Sequence, residues 1–254
     1  MTKETKLPST DMVAGVKKEI ITQLKEIQKT HSIASLVDMD QMEKSFMIAE
    51  GIGQMTNVFK ENTEVCRLLT YLQGKKLGFR TDKEYPIEKV VECAVEALIR
   101  GLQLTGNQFN IIAENLYIPK EGFDYLLESL AGFVDFFIEW GDYETDKGVG
   151  KVKYKATWKY KDKEDEMVGV VPVRINSGMI VDAIYGKAER KVMAKVYKKI
   201  TKSAAFFEER DLSEINTTSV SSSTPSKLTS EDGKISTPKK PEMPGDFDTF
   251  KGGS

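Results

Sequence analysis

The stretch KVKYKATWKYK, residues 151–161, decides the fold class. Its odd positions are Lys151, Lys153, Lys155, Thr157, Lys159 and Lys161, and its even positions are Val152, Tyr154, Ala156, Trp158 and Tyr160. A period of two predicts a strand, with the apolar set on a core face and the lysines on the opposite face. The segment MVGVVPVRI, 167–175, reads as the return strand, with Pro172 marking an edge or a bulge. Residues 162–166, DKEDE, are expected as the solvated turn between them. A row of lysines along one strand opposes itself. Charge that protects an edge strand is one explanation, although one or two lysines suffice for that. A phosphate backbone lying along the row is the other.

Working outward, GKAERKVMAKVYKKITK, 186–202, reads as an amphipathic helix. Lys187, Lys191, Lys195, Lys198 and Lys202 follow at intervals of four, four, three and four, so a helical repeat gathers them on one side. Val192, Val196 and Ile200, widened by Met193 and Tyr197, form the apolar stripe. Arg190 adds a cation, and Glu189 is the only acid between Gly186 and Lys202. A helix that faces only water explains the pattern, and so does one that faces phosphates. The strand and the helix are read together as two walls of one phosphate-binding groove, with their mutual orientation left to the tertiary structure.

The segments before the strand are helical in period. Thr10 or Asp11 is a cap for a helix bearing Val13, Val16, Ile20, Leu24 and Ile27, with His31 in its last turn. This helix suits an oligomer seam or packing within its own domain. Asp38 or Asp40 opens the next helix, with apolar positions Met42, Phe46, Ile48, Ile52, Met55 and Phe59. Gly51 and Gly53 inside it predict a bend or a close helix contact. Asn62 or Thr63 caps a third helix through Leu72, and Pro86 starts a fourth that Gly101 stops. QFNIIAENLYIP, 108–119, is strand-like, Gly122–Leu130 is a short helix, and VDFFIEW, 134–140, is a strand followed by a turn region, 141–150. After about residue 207, Ser, Thr, Pro and Lys dominate without an apolar period, which predicts a disordered tail. Its tip carries Asp246, Phe247, Asp248 and Phe250, a pattern suited to a docking peptide.

The expected architecture is therefore α+β: N-terminal helices, a small antiparallel sheet with hairpins, a long basic C-terminal helix and a disordered tail. Residues 1–37 form an N-terminal helical segment, 38–207 the core, and 208–254 the tail.

Net charge is −2, so any polyanion must be met by segregated charge. Lys147–Lys161 carries +6, Ala183–Lys202 carries +6, and the remainder therefore totals −14. Lysines on a strand and a helix track a backbone without reading bases, which predicts weak sequence specificity. Tyr154, Trp158 and Tyr160 alternate with the lysines, so they are expected in the core rather than stacked on bases. One histidine excludes a multi-histidine metal site, and no Gly-x-x-x-x-Gly-Lys-Ser/Thr loop is present. Cys66 and Cys93 fit a reduced, intracellular chain, and no membrane span or secretory signal is legible. Asp135, Glu139, Asp142, Glu144 and Asp146 are the candidates for Mg²⁺ in a nuclease reading; a solvated turn and strand end explains them as well.

The stretch AVEALIRGLQLTGNQFNIIAENLYIPKEGF, 94–123, resembles the RecT/Redβ group of phage single-strand annealing recombinases. Gly101-Leu102 ends a helix as in that group, and Tyr117-Ile118-Pro119 stands where a hairpin leads to Tyr-hydrophobic-Pro. The basic 186–202 segment is similar to the helix near the end of the folded region. The resemblance covers roughly residues 38–205. It implies single-stranded DNA binding and ATP-independent annealing of complementary strands in phage-type homologous recombination, with no covalent step and no required cofactor. It also implies a homo-oligomer, an exonuclease or single-strand binding protein as partner, and the cytoplasm of a bacterial or phage-infected cell. The DNA-binding candidates are Lys151, Lys153, Lys155, Lys159 and Lys161 on the strand. On the helix they are Lys187, Arg190, Lys191, Lys195, Lys198 and Lys202. The alternative is a non-enzymatic scaffolding protein whose basic faces bind an acidic partner.

Overall fold

The computed structural model describes residues 18–203. The first 17 residues and the tail from 204, with Asp246, Phe247, Asp248 and Phe250, lie outside the described residues. Four helices come first: α1 (Lys18–His31), α2 (Gln41–Glu61), α3 (Thr63–Leu72) and α4 (Ile87–Arg100). A small hairpin, β1 (Asn110–Ile112) and β2 (Asn115–Tyr117), leads into α5 (Lys120–Glu128). Then come β3 (Phe133–Asp146), β4 (Val149–Tyr160), β5 (Lys163–Arg174) and α6 (Val181–Thr201). The last three strands form an antiparallel sheet in the order β3-β4-β5. The α+β reading holds: helices and small antiparallel sheets share one chain.

Local chemistry explains the helix ends. The Asp40 carboxylate caps α2 by accepting from the Met42 and Glu43 amides at 2.9 and 3.0 Å. Gly101 ends α4 in the left-handed region, φ 95°, where a side chain would be strained. Asn62 precedes α3 without capping it; its amide instead donates to the Val58 carbonyl at 2.7 Å.

The helices pack through one tight crossing. A Cβ on Gly51 of α2 would lie 2.5 Å from the His31 Cβ of α1 and 2.9 Å from Ile99 Cδ1 of α4. Around Gly53 nothing lies within 4 Å. The two glycines therefore have opposite roles. Gly51→Ala is expected to cost about 2 kcal/mol by overpacking. Gly53→Ala is expected to stabilise by about 0.5–1 kcal/mol, because an exposed helical glycine only raises the entropy of the unfolded chain. Urea unfolding of both variants checks the sign. Gln28 of α1 fastens the same corner, its amide donating to the Leu98 and Leu102 carbonyls at 3.0 Å each.

Several expected boundaries move. Residues 108–119 are two strands, with a turn at Ala113 (φ 48°) and Glu114 (φ 67°). Both residues sit in a region that disfavours side chains. The turn is clamped from outside: Asp82 accepts from the Ala113 amide at 3.2 Å, and the Tyr85 hydroxyl accepts from the Glu114 amide at 3.0 Å. Tyr85 in turn donates to Asp82 at 2.6 Å. Burial, then that hydrogen bond, push the Tyr85 hydroxyl up to about 12. The expected turn region at 141–150 is mostly strand, since bulges between Val134 and Phe137 and between Trp140 and Tyr143 let β3 run on to Asp146. The DKEDE segment is likewise strand from Lys163, and the turn is only Lys161–Asp162, with φ of 47° and 63°. Within α2 the expected apolar stripe is half right: Ile48, Met55 and Phe59 are buried, whereas Met42 and Phe46 are over 70% exposed. No described helix is long and apolar enough to cross a membrane.

The sheet has two unlike faces. Val152, Tyr154, Ala156 and Trp158 of β4 are buried with Val171 and Val173 of β5, under Ile184, Val192 and Val196 of α6. Trp140 and Tyr143 of β3 meet Tyr185 of α6 edge-on, with ring centroids 5.6 and 6.0 Å apart. The far end of α6 is tied to the helical layer by Lys44 of α2, whose Nζ donates to the Thr201 carbonyl at 2.7 Å.

Candidate nucleic-acid interface

Two lysine faces were legible in sequence, and the fold places them on opposite sides of the sheet. The apolar face of β4 lies under α6, so the lysine row of β4 points away from α6. The expected single groove between strand and helix does not form. A period of two assigns lysines to one face and apolar residues to the other, and a helix that covers the apolar face cannot meet the lysines.

The outer face of the sheet also carries its own counter-charge. Register sets Glu144 opposite Lys151 and Glu139 opposite Lys155 on the β3 side, with Glu164 opposite Lys159 and Glu166 opposite Thr157 on the β5 side. Lys155 pairs with Glu166 at 2.9 Å and Lys153 with Glu144 at 3.4 Å. The hydrogen bond to Glu166 raises the Lys155 pKa above the ordinary lysine value. Four lysines, Lys151, Lys153, Lys155 and Lys159, thus meet four glutamates. Lys161 leaves the row altogether: it sits in the turn, with both Asp38 carboxylate oxygens 2.8 Å from its ammonium. The sequence showed an unopposed row because the opposing acids are 5 to 16 residues away along the chain.

Helix α6 has a different character. From Arg190 to Lys202 every residue that is not buried is a lysine: Lys191, Lys195, Lys198, Lys199 and Lys202. Sheet, hairpin and α5 enclose the rest of the circumference. Arg190 belongs to the enclosed part. Only 7% exposed, it donates to the Ile118 carbonyl at 3.2 Å and lies 4.7 Å over the Tyr117 ring. It anchors α6 to the hairpin and is not on the outward stripe.

The stripe runs along the free edge of β5. Lys187 donates to the Arg174 carbonyl at 3.5 Å, Lys191 to Pro172 at 3.0 Å and Lys199 to Glu166 at 3.3 Å. These three carbonyls have the same parity as Pro172, which has no amide hydrogen to give a neighbouring strand. The lysines therefore also cap an edge that would otherwise pair with another strand. Lys195 and Lys199 lie 5.5 and 4.9 Å over the rings of Tyr154 and Trp158, which are core residues as expected. Burial first, then the neighbouring Lys191 ammonium, lower the Lys195 pKa from the ordinary lysine value. Lys199 is additionally paired with Asp165 at 2.8 Å. It was missed as a candidate, although its interval of four from Lys195 continues the row Lys187, Lys191, Lys195.

The acids of the nuclease reading lie along β3 rather than in a turn, and among the described residues no group of three potential metal ligands is assembled. His31 is buried at the end of α1, its Nδ1 3.1 Å from the Ile27 carbonyl and its Nε2 3.8 Å from Glu50. Cys66 and Cys93 are buried free thiols. Compared with models of known protein families, with curated proteins and with solved structures, the chain matches none.

Proposed function

We propose that this protein binds single-stranded DNA along the lysine stripe of α6 and anneals complementary strands without ATP or a covalent step, in phage-type recombination. The observation that carries the reading is the outward stripe of α6, which is lysine alone from Lys191 to Lys202, in a chain of net charge −2. Lysines four residues apart on a helix stand about 6 Å apart along its axis, a spacing that suits successive phosphates of an extended strand. Ammonium groups hold phosphates without reading bases, and the bases are left outward to pair. The resemblance of residues 94–123 to annealing recombinases supports the same reading. Homo-oligomers, an exonuclease partner and a single-strand binding protein partner belong to this proposal.

The test is binding of an unstructured oligonucleotide across a salt series, followed by annealing of complementary oligonucleotides without nucleotide or metal. With four to five phosphates neutralised, the slope of log K against log salt is expected to be about −3. Flat salt dependence, or no acceleration of annealing at low salt, overturns the proposal.

The second reading is a scaffolding protein whose basic faces bind an acidic partner, and one observation favours its coarser form, a protein partner. On the outer sheet face, Val134, Phe137, Val168 and Val170 are 47–67% exposed among balanced charges. Such a face suits protein better than polyanion. Under that reading the oligonucleotide is not bound at any salt concentration.

A further inference from the structure

We infer that the loop 74–80, between α3 and α4, is a second nucleic-acid contact, which holds the incoming strand while α6 holds the first. The inference rests on the annealing reading, which places one strand on α6, and adds a site that the reading does not use.

The loop reads GKKLGFR and carries Lys75, Lys76 and Arg80, and from Leu68 to Thr81 there is no acid. All three cations are exposed, and none has an ion-pair partner among the described residues. Folding lays a second acid-free segment beside the first. The Gly106 and Asn107 amides donate to the Leu77 and Gly78 carbonyls at 3.1 and 3.0 Å, and Gly101–Ala113 has no charged residue. Of the acids that follow the loop, Asp82 accepts from the Tyr85 hydroxyl and the Ala113 amide at the β1–β2 turn, which leaves Glu84 against three cations.

The loop is held in place. The Gly74 amide donates to the Phe79 carbonyl at 2.9 Å, and the Phe79 amide to the Leu72 carbonyl at 3.3 Å. Phe79 is buried and stacks on Phe109, with ring centroids 4.6 Å apart. A Cβ on Gly78 would lie 2.1 Å from the Leu72 carbonyl oxygen, so only glycine lets the loop close on the end of α3. Between these fixed points Leu77 is 81% exposed. Because the loop is ordered in the free protein, a ligand does not have to order it.

One leucine among three cations selects the ligand. It is no apolar centre for a protein interface, where charge is depleted. It is also far short of the acyl chain that a basic patch needs beside it for stable membrane anchoring. A nucleic-acid strand fits, since the cations hold phosphates and the leucine packs on the face of a base. The fold sets this site and α6 on either side of one hairpin. Thr81, just past the loop, bridges to Ile111 of β1, and Arg190 of α6 donates to the Ile118 carbonyl just after β2. Two strands are thus held separately, on surfaces joined through the same small element. With roughly three phosphate contacts against four to five on α6, the loop is the weaker site and fills second.

The experiment preloads the full chain with a saturating fluorescein-labelled oligonucleotide at low salt. A second, non-complementary oligonucleotide labelled with rhodamine is then titrated in, and energy transfer is followed. Saturable transfer is expected. Lys75→Glu/Lys76→Glu weakens it at least about tenfold, slows annealing of a complementary second strand by a similar factor, and leaves affinity for the first strand within about twofold. Leu77→Ser weakens the second site about threefold without changing its salt dependence, because an apolar contact releases no counter-ions. Undiminished transfer and annealing in Lys75→Glu/Lys76→Glu overturns the inference and leaves the α6 reading standing. So does a loss of first-strand affinity as large as the loss of transfer, which puts the loop on the same track as α6. If the parent binds no first strand, the annealing reading falls and the inference with it. Leu77-dependent sedimentation with phosphatidylserine vesicles, with transfer unchanged in Leu77→Ser, makes the ligand a membrane and overturns the inference alone.

Discussion

Lys191→Glu, Lys195→Glu and Lys198→Glu combined are expected to weaken single-strand binding about a hundredfold at low salt, roughly 2.7 kcal/mol, and to abolish annealing. Each reversal removes an ammonium from the outward stripe and adds an anion that repels the backbone. The salt slope falls along with the affinity, by about 2, since three phosphate contacts are lost. Lys191 also donates to the Pro172 carbonyl, so part of the effect can come from a loosened sheet edge. The pair Lys195→Gln/Lys202→Glu separates the two causes, because neither side chain bonds a carbonyl of β5 and glutamine places no anion over the Tyr154 ring; about a tenfold loss is expected, with the sheet edge intact. The matching experiment on the sheet has the opposite expectation. Lys151→Glu, Lys153→Glu and Lys155→Glu combined change affinity by less than about threefold, because these lysines already face Glu139, Glu144 and Glu166 across the strands. Equal losses from the two triple variants would show that both faces bind DNA, against the assignment to α6.

Lys44→Glu is expected to destabilise the fold by about 4 kcal/mol, while Lys44→Met leaves it within about 1 kcal/mol of the parent. Lys44 is 1% exposed and delivers its ammonium to the Thr201 carbonyl, at the negative end of the α6 dipole. A carboxylate there meets carbonyl oxygen and the helix dipole with the wrong sign. Methionine has similar length and removes a buried charge together with its hydrogen bond, two effects of opposite sign. Urea unfolding measures both. The pH dependence has a definite direction. Burial, then the nearby Lys202 ammonium, lower the Lys44 pKa below the ordinary lysine value. Between those two values the unfolded chain holds more protons than the folded one, so stability rises with pH through that window. Below the window the penalty for burying the charge is constant. The difference in stability between the parent and Lys44→Met should therefore shift in favour of the parent only as pH climbs through that alkaline window. A difference that is flat there rules out a Lys44 pKa lowered by folding.

Much of the fold was legible because periodicity is local. The four-residue rhythm of Val192, Val196 and Ile200 marked the buried side of α6, and all three are buried. Asp40, Pro86 and Gly101 marked helix ends by their backbone chemistry, and each stands at one. Strand ends were less legible. Gly141 and Asp142 look like turn residues, yet they occupy a bulge that keeps β3 in the sheet. Met42 and Phe46 fit a buried stripe by spacing, but spacing does not say how much of a stripe a neighbour covers. Of the site, the α6 lysines were legible with Lys199 overlooked. Arg190 could not be told from them, because its burial depends on Tyr117 and Ile118, more than 70 residues earlier.

By itself the sequence determined which side chains share a face. The alternation of 151–161 forces its lysines apart from Val152, Tyr154, Ala156 and Trp158, and the helical repeat of 187–202 forces another set of lysines together. Only the tertiary structure decided what each face meets. Antiparallel register brought Glu139, Glu144, Glu164 and Glu166 alongside the strand lysines and balanced them. Docking of α6 on the apolar face sent its own lysines outward along the β5 edge. The reason is one of range: backbone geometry fixes side-chain direction over a few residues, whereas charge compensation acts between groups brought together by folding.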